Sequence, residues 1–156
     1  MTLALSIRQP WASLILLAGK DIENRSWPTH TRGPILIHAA KGMTWDDYLS
    51  GLSFAYRIDP KLVEALGVLT VSASMGFIVD ESKQHITQID IAQCLRDCPL
   101  LRGGIIGSVN VVDCVRRSKS PWFVGPNGFV LRDPKPLPFI PFKGQLGFFD
   151  VPGVQP

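Results

Sequence analysis

At 156 residues, with 46% hydrophobic and 19% charged side chains, the chain has the size of one compact domain that buries about two thirds of its unfolded surface without staples. The formal net charge of +3 is modest, and three cysteines, an odd number, argue against a disulfide framework. No segment approaches membrane-spanning length and no basic stretch precedes a signal-type apolar run, so the expectation is a cytoplasmic protein with no membrane partner.

Leu3 to Ile7 reads as a buried strand. Pro10, with fixed φ and no N–H, suits the first turn of a helix, and Gln9 before it is pushed out of the α region. Trp11, Ala12, Leu14 to Leu17 and Ala18 are apolar on most faces of that helix, and Gly19 can take the left-handed conformation that ends it. Asp21 to Trp27 reads as extended, which places Glu23, Arg25 and Trp27 on one face and Ile22 and Asn24 on the other. Lys20 has the opposite parity to Glu23 and shares its site only from the preceding turn or across a bulge. The group combines a planar cation for phosphate, an indole for stacking, and a carboxylate that can accept from an amino edge or act as a base. A solvated Glu23–Arg25 ion pair with Trp27 in the core is the plainer alternative.

Gly33-Pro34 turns into the apolar strand Ile35-Leu36-Ile37, and His38 at its end either faces a pocket or is satisfied in the core. Thr44 reads as an N-cap with Asp46 and Asp47 in the first turn of a helix running to about Tyr56, loosened near Gly51. Pro60 opens a second helix, Lys61 to Leu66, closed by Gly67. Residues 68–79 are ambiguous between strand and loop, and Ile89 to Leu95 has helical spacing. The β-branched run Ile105 to Val115 predicts a central strand, with Gly107 permitting a bend or a close approach. Arg116-Arg117-Ser118-Lys119 is a basic turn that either grips phosphate or is simply solvated. Trp122 is a base stacker or a core plug, and Asn127-Gly128 carries turn chemistry ahead of a strand. Pro134, Pro136, Pro138 and Pro141 mark an edge-like extended segment, and Gly144 to Val151 is the closing strand.

Cys94-x3-Cys98 lacks the paired knuckles of a zinc site, Cys114 reads as a buried strand thiol, and His30, His38 and His85 are scattered, so neither a metal nor another cofactor is expected. Residues 1–41 and 100–156 are net basic, whereas the middle sets four cations against eight acids. If the two ends fold together, the basic body they form favours a polyanionic partner.

The run Leu5-Ser6-Ile7-x-Gln9-Pro10-Trp11-Ala12, followed by Lys20-x-x-Glu23-x-Arg25 and Trp27, resembles the ASCH domain of the PUA-like superfamily. That family's signature is Gly-x-Lys-x-x-Glu-x-Arg; here Ala18 stands at the leading Gly, and neighbouring Gly19 can supply the turn. The resemblance continues in Gly33 to Ala40, in Gly107-Ser108-Val109 and in the late Gly-Pro-x-Gly and Gly-x-Leu-Gly-Phe-Phe segments. It implies an α+β fold, a PUA-like mixed β-barrel with peripheral helices, as a single domain over 1–156 with a helical insertion at about 44–100.

The resemblance also implies RNA, other single-stranded nucleic acid or a modified nucleoside as partner. The residues named for that ligand are Gln9, Trp11, Lys20, Glu23, Arg25, Trp27, His38, Trp122 and Asn127. Some bacterial ASCH proteins are N(4)-acetylcytidine amidohydrolases that use a Lys, a Thr three residues later and a distant Glu, and another is described as a ribonuclease. Lys20 matches the first of these, but Glu23 stands where the Thr would be. The alternative to a reader is therefore a small hydrolase in which Lys20 and Glu23 are catalytic, with His38 as a further acid or base for ribonuclease chemistry. A protein-interaction adaptor using the acidic middle is the third reading.

Overall fold

The computed structural model describes residues 1–65 and 100–156. In chain order these form β1 (Thr2–Ile7), α1 (Trp11–Leu17), β2 (Ile22–Arg25), β3 (Gly33–Ala39), α2 (Trp45–Ile58), α3 (Pro60–Ala65), β4 (Gly104–Val115), β5 (Asn127–Pro141) and β6 (Phe148–Val151). The readings for 68–79 and 89–95, the Cys94-x3-Cys98 pair, His85 and the Gly67 stop lie outside the described residues.

The strands make one mixed sheet in the order β2-β5-β4-β3-β1-β6, which with the helices is an α+β architecture. β1 and β3 are parallel, joined through α1 and β2, and the other neighbours are antiparallel. The closed barrel expected from the resemblance is not formed: among the described residues β2 and β6 end the sheet and do not pair with each other. Both edge strands are only four residues long, and β2 reaches β1 by a side chain instead of a ladder: Arg25 Nη2 donates to the Ser6 carbonyl at 2.8 Å.

Strand alternation sorts the core. Leu5, Ile7, Ile35 and Ile37 face α1 residues Ala12 and Ile15 together with Phe129 and Leu131, whereas Ala4 and Leu36 face Ile105, Phe149 and Val151 on the other side. β4 lies centrally between β3 and β5, as its β-branched run requires. Gly107 is where α1 meets this strand. A Cβ there would lie 2.5 Å from Leu16 Cδ1 and 2.7 Å from the Lys135 carbonyl oxygen. The prolines of β5 fall in the half that lies beyond its pairing with β2, where, among the described residues, one side of the strand has no ladder to feed.

Helix α1 ends as its sequence dictates. Gly19 takes φ +67°, and the Lys20 N–H turns back to the Leu14 carbonyl at 3.1 Å. Helix α2 runs unbroken through Gly51, contrary to the loosening expected there. The glycine is instead a seat for Pro10, whose Cγ would lie 2.3 Å from an added Cβ. No helix among the described residues is long and apolar enough to cross a membrane.

At the start of α2, Thr44 and Asp47 form a reciprocal capping box, and Arg8 Nη1 approaches the Asp47 carboxylate to 3.1 Å. Burial pushes the Asp47 carboxyl up, but its bonds to the Thr44 N–H and hydroxyl and the Arg8 charge outweigh that and hold it below the ordinary 3.8. A depressed folded-state value means stability that is present above 3.8 and lost as pH falls through the folded value. Asp47→Asn leaves the Thr44 cap and one acceptor oxygen but removes the charge in the first turn, and is expected to cost about 0.3–1 kcal/mol at pH 7. Urea midpoints compared across pH check this, since the gap to wild type must close in acid; a gap that persists in strong acid would show that the capping carboxylate is not its source.

Candidate nucleic-acid interface

The turn that closes α1 decides the site. Because Gly19 is left-handed, Lys20 leaves the turn on the same side as Glu23, and its Nζ donates to Glu23 Oε2 at 2.7 Å and to the Ile22 carbonyl. Of the two routes the strand parity left open, the turn is the one used. The other carboxylate oxygen, Oε1, takes Arg25 Nη2 at 3.1 Å. Lys20 is 4% and Glu23 7% exposed, so one largely buried carboxylate serves two cations, and the cluster carries one net positive charge.

An aromatic cleft of about 300 Å³ opens onto this cluster, lined by Trp11, Lys20, Glu23, Asn24, Phe54, Trp122 and Val124. Lys20 Nζ lies 5.9 Å from the Trp11 ring centroid, within reach of a cation–π attraction. Phe54 links the walls, edge-on to Trp11 at 5.7 Å and tilted against Trp122 at 5.8 Å. Asn24 pins the loop that carries Trp122: its Nδ2 donates to the Trp122 carbonyl at 2.8 Å, and its Oδ1 accepts from the N–H groups of Val124 and Gly125. Gly125, at φ +77°, makes the turn into β5, while Asn127 and Gly128 already lie in that strand.

Four of the nine residues named from the sequence thus converge on one cleft: Trp11, Lys20, Glu23 and Trp122. Arg25 joins them through Glu23, beside but not lining the cleft, and its Nε is buried with no hydrogen-bond partner among the described residues. Trp27 lies past the end of β2, packed edge-on against Phe129 at 5.0 Å and Phe148 at 5.7 Å. Gln9 is fully buried; its Oε1 accepts from the Ser13 N–H and its Nε2 donates to the Leu101 carbonyl, so it tethers the start of α1. The Asn127 side chain donates to the Arg25 carbonyl across the β2–β5 pair. His38 lies in a different cleft, with Ser6. The 116–119 turn is exposed, and Cys114 is a half-buried free thiol. Among the described residues no group of three or more His, Cys, Asp or Glu is placed to hold a metal.

Asn24, Phe54 and Val124 line the cleft without having been singled out in the sequence. Asn24 was assigned to the opposite face, and its partners lie about a hundred residues away, where no local signal reaches. Phe54 packs in the same cluster as Trp45, Tyr48, Leu49 and Leu52 of α2 and also meets Trp122, a contact that no spacing within the helix records.

An open mixed sheet with a cation-rich cleft between its first helix and a distal aromatic loop defines the class: a small α+β domain with a polar, aromatic-walled cleft. The chain belongs to the ASCH domain family, whose model matches residues 5–122. It is also 41% identical over 54 residues to the human protein Activating signal cointegrator 1 [Homo sapiens], a match that covers 35% of this chain and 9% of that protein. The chain therefore matches only a small part of that relative's length.

Proposed function

We propose that this ASCH domain reads single-stranded RNA or a modified nucleoside by taking one base into the cleft between Trp11 and Trp122. The finer fold kinship that accompanies this reading is the PUA-like superfamily. The observation that carries it is the Lys20–Glu23 pair at the foot of an aromatic cleft. An ammonium has three N–H donors, and two of Lys20's are committed to Glu23 and Ile22, which leaves one. Glu23 receives one cation on each oxygen and keeps lone pairs to spare. A free donor beside a free acceptor complements a base edge that sets an acceptor beside an exocyclic amine, as cytosine and adenine do. The aromatic walls supply stacking, and about 300 Å³ is at the small end of ligand pockets, suited to one base. The net positive charge of the cluster favours the phosphate that follows the base.

The test is a titration of the full chain with a nucleoside panel including N(4)-acetylcytidine and with single-stranded RNA, followed by tryptophan emission and by mass spectrometry for turnover. Saturable quenching without turnover is expected, with Trp11→Leu binding at least about fivefold more weakly, the lower end of the cost of a lost base–aromatic stack. Turnover lost in a Lys20 variant would make the site a hydrolase; no binding to any ligand would remove the reading.

A further inference from the structure

The parallel pairing of β1 with β3 sets Ser6 directly opposite His38, on the face away from α1. The β3–β4 register shift beside His38 falls on β4, where Ile106 is the extra residue, and the β1–β3 pairing runs on regularly through Ser6 and His38. There Ser6 Oγ lies 3.0 Å from His38 Nδ1, and His38 Nε2 lies 3.0 Å from the Phe142 carbonyl oxygen. A carbonyl only accepts, so Nε2 carries the ring proton, and in the neutral ring Nδ1 is left to accept from the Ser6 hydroxyl. His38 is 2% exposed and braced edge-on by Phe149 at 5.7 Å, so its orientation is fixed by packing as well as by the carbonyl. The Ser6 backbone is held from behind by Arg25. This is a nucleophile, a base in hydrogen-bond reach, and a third group that orients the base.

The pair opens into a cleft of about 740 Å³ whose charged side chains are Lys41 and Lys143, both exposed, with no acid among the described residues that line it. Gly144 forms part of its wall. A Cβ at that position would lie 2.4 Å from His38 Cε1 and 3.1 Å from Ser6 Oγ, so the glycine lets the loop backbone pack directly against the pair and leaves no room for a side chain.

The geometry points to a second, catalytic site at which Ser6 and His38 cleave an acyl ester that bears an anionic group, carboxylate or phosphate. Ser6 Oγ adds to the ester carbonyl carbon while its proton passes to His38 Nδ1. The C–O bond to the leaving alcohol breaks, and that alcohol takes the proton from Nδ1. Water then gives a proton to Nδ1 and attacks the Ser6 ester, releasing the acid and restoring the Ser6 hydroxyl. No redox partner enters and water is the sole co-reactant. Lys41 and Lys143 hold the anionic group of the substrate. The site is separate from the Trp11–Trp122 cleft and does not rest on the base-reading proposal.

The experiment treats the full chain with a fluorophosphonate probe, reads the adduct by intact mass and peptide mapping, and then compares 4-nitrophenyl succinate with 4-nitrophenyl acetate as substrates. One adduct per chain at Ser6 is expected, absent in Ser6→Ala and slowed at least about a hundredfold in His38→Gln, the scale of a lost general base. Gly144→Ala, which crowds the hydroxyl, is expected to slow labelling as well. The anionic ester is expected to be the better substrate, with the preference lost in Lys41→Ala/Lys143→Ala. Ser6→Ala removes a single oxygen and carries the test even if His38→Gln fails to fold. No adduct, an adduct at another residue, or equal labelling of a folded His38→Gln variant overturns the proposal and leaves Ser6–His38 as a structural pair. Equal turnover of the two esters overturns the anionic specificity.

Discussion

Glu23→Ala is expected to lower the stability of the fold by about 3–5 kcal/mol, the cost of removing one partner from a buried ion pair. Glu23 is the single anion between Lys20 and Arg25, with one cation on each oxygen. Without it, Lys20 keeps the Ile22 carbonyl and Arg25 keeps the Ser6 carbonyl, so two charges remain in a low-dielectric site with one neutral acceptor each. The loss also reaches β2, which has four residues and, among the described residues, one strand neighbour, because Arg25 is its link to β1. Urea denaturation monitored by far-UV dichroism measures it. Glu23→Gln keeps the shape and one acceptor oxygen but turns an amide NH2 towards the other cation, and belongs between wild type and Glu23→Ala. A loss of under about 1 kcal/mol, the level of an exposed pair, would mean that solvent reaches the cluster and that the carboxylate is not its hub.

Local pattern carried much of the fold. The Thr44 cap with Asp46 and Asp47, the β-branched run of β4 and the Gly19 stop each encode their structure within a few residues, and each is found where those residues place it. Closure of the sheet is not such a property. Whether β6 meets β2 depends on strand length and on coiling summed over β4 and β5, with their register shifts, and no short stretch records that. The site divides along the same line. Lys20 and Glu23 are three residues apart and meet through one turn, so their pairing was open to reading. Gln9 and Asn127 are polar residues whose hydrogen bonds go to the backbone, and a polar side chain reads alike in sequence whether it serves a ligand or a carbonyl. Phe54 and Trp122 meet across a gap of 68 positions, a contact set by how α2 packs beneath the loop before β5.

Lys20→Met separates the two uses of the cluster. Methionine fills nearly the same volume with an unbranched apolar chain, and Glu23 keeps Arg25 at 3.1 Å, so the carboxylate is not orphaned. The expected change in stability is within about 1.5 kcal/mol, well short of Glu23→Ala, because removing one of two cations leaves a neutral pair whereas removing the anion leaves two like charges. Binding should respond the other way. The ammonium's remaining N–H is the donor offered to the ligand, and a hydrogen bond from a charged group is worth about 1.5–3 kcal/mol, so affinity for nucleoside or single-stranded RNA is expected to fall roughly 10- to 150-fold. The salt dependence adds a second readout. Each phosphate contact to a single strand contributes a slope of about −0.7 in log K against log salt, so a Lys20 that reads a base edge leaves the slope unchanged, and one that neutralises phosphate lowers it by about that amount. Undiminished affinity in a folded Lys20→Met protein would show that the Lys20–Glu23 pair serves only the fold, and the cleft would lose its claim to the ligand.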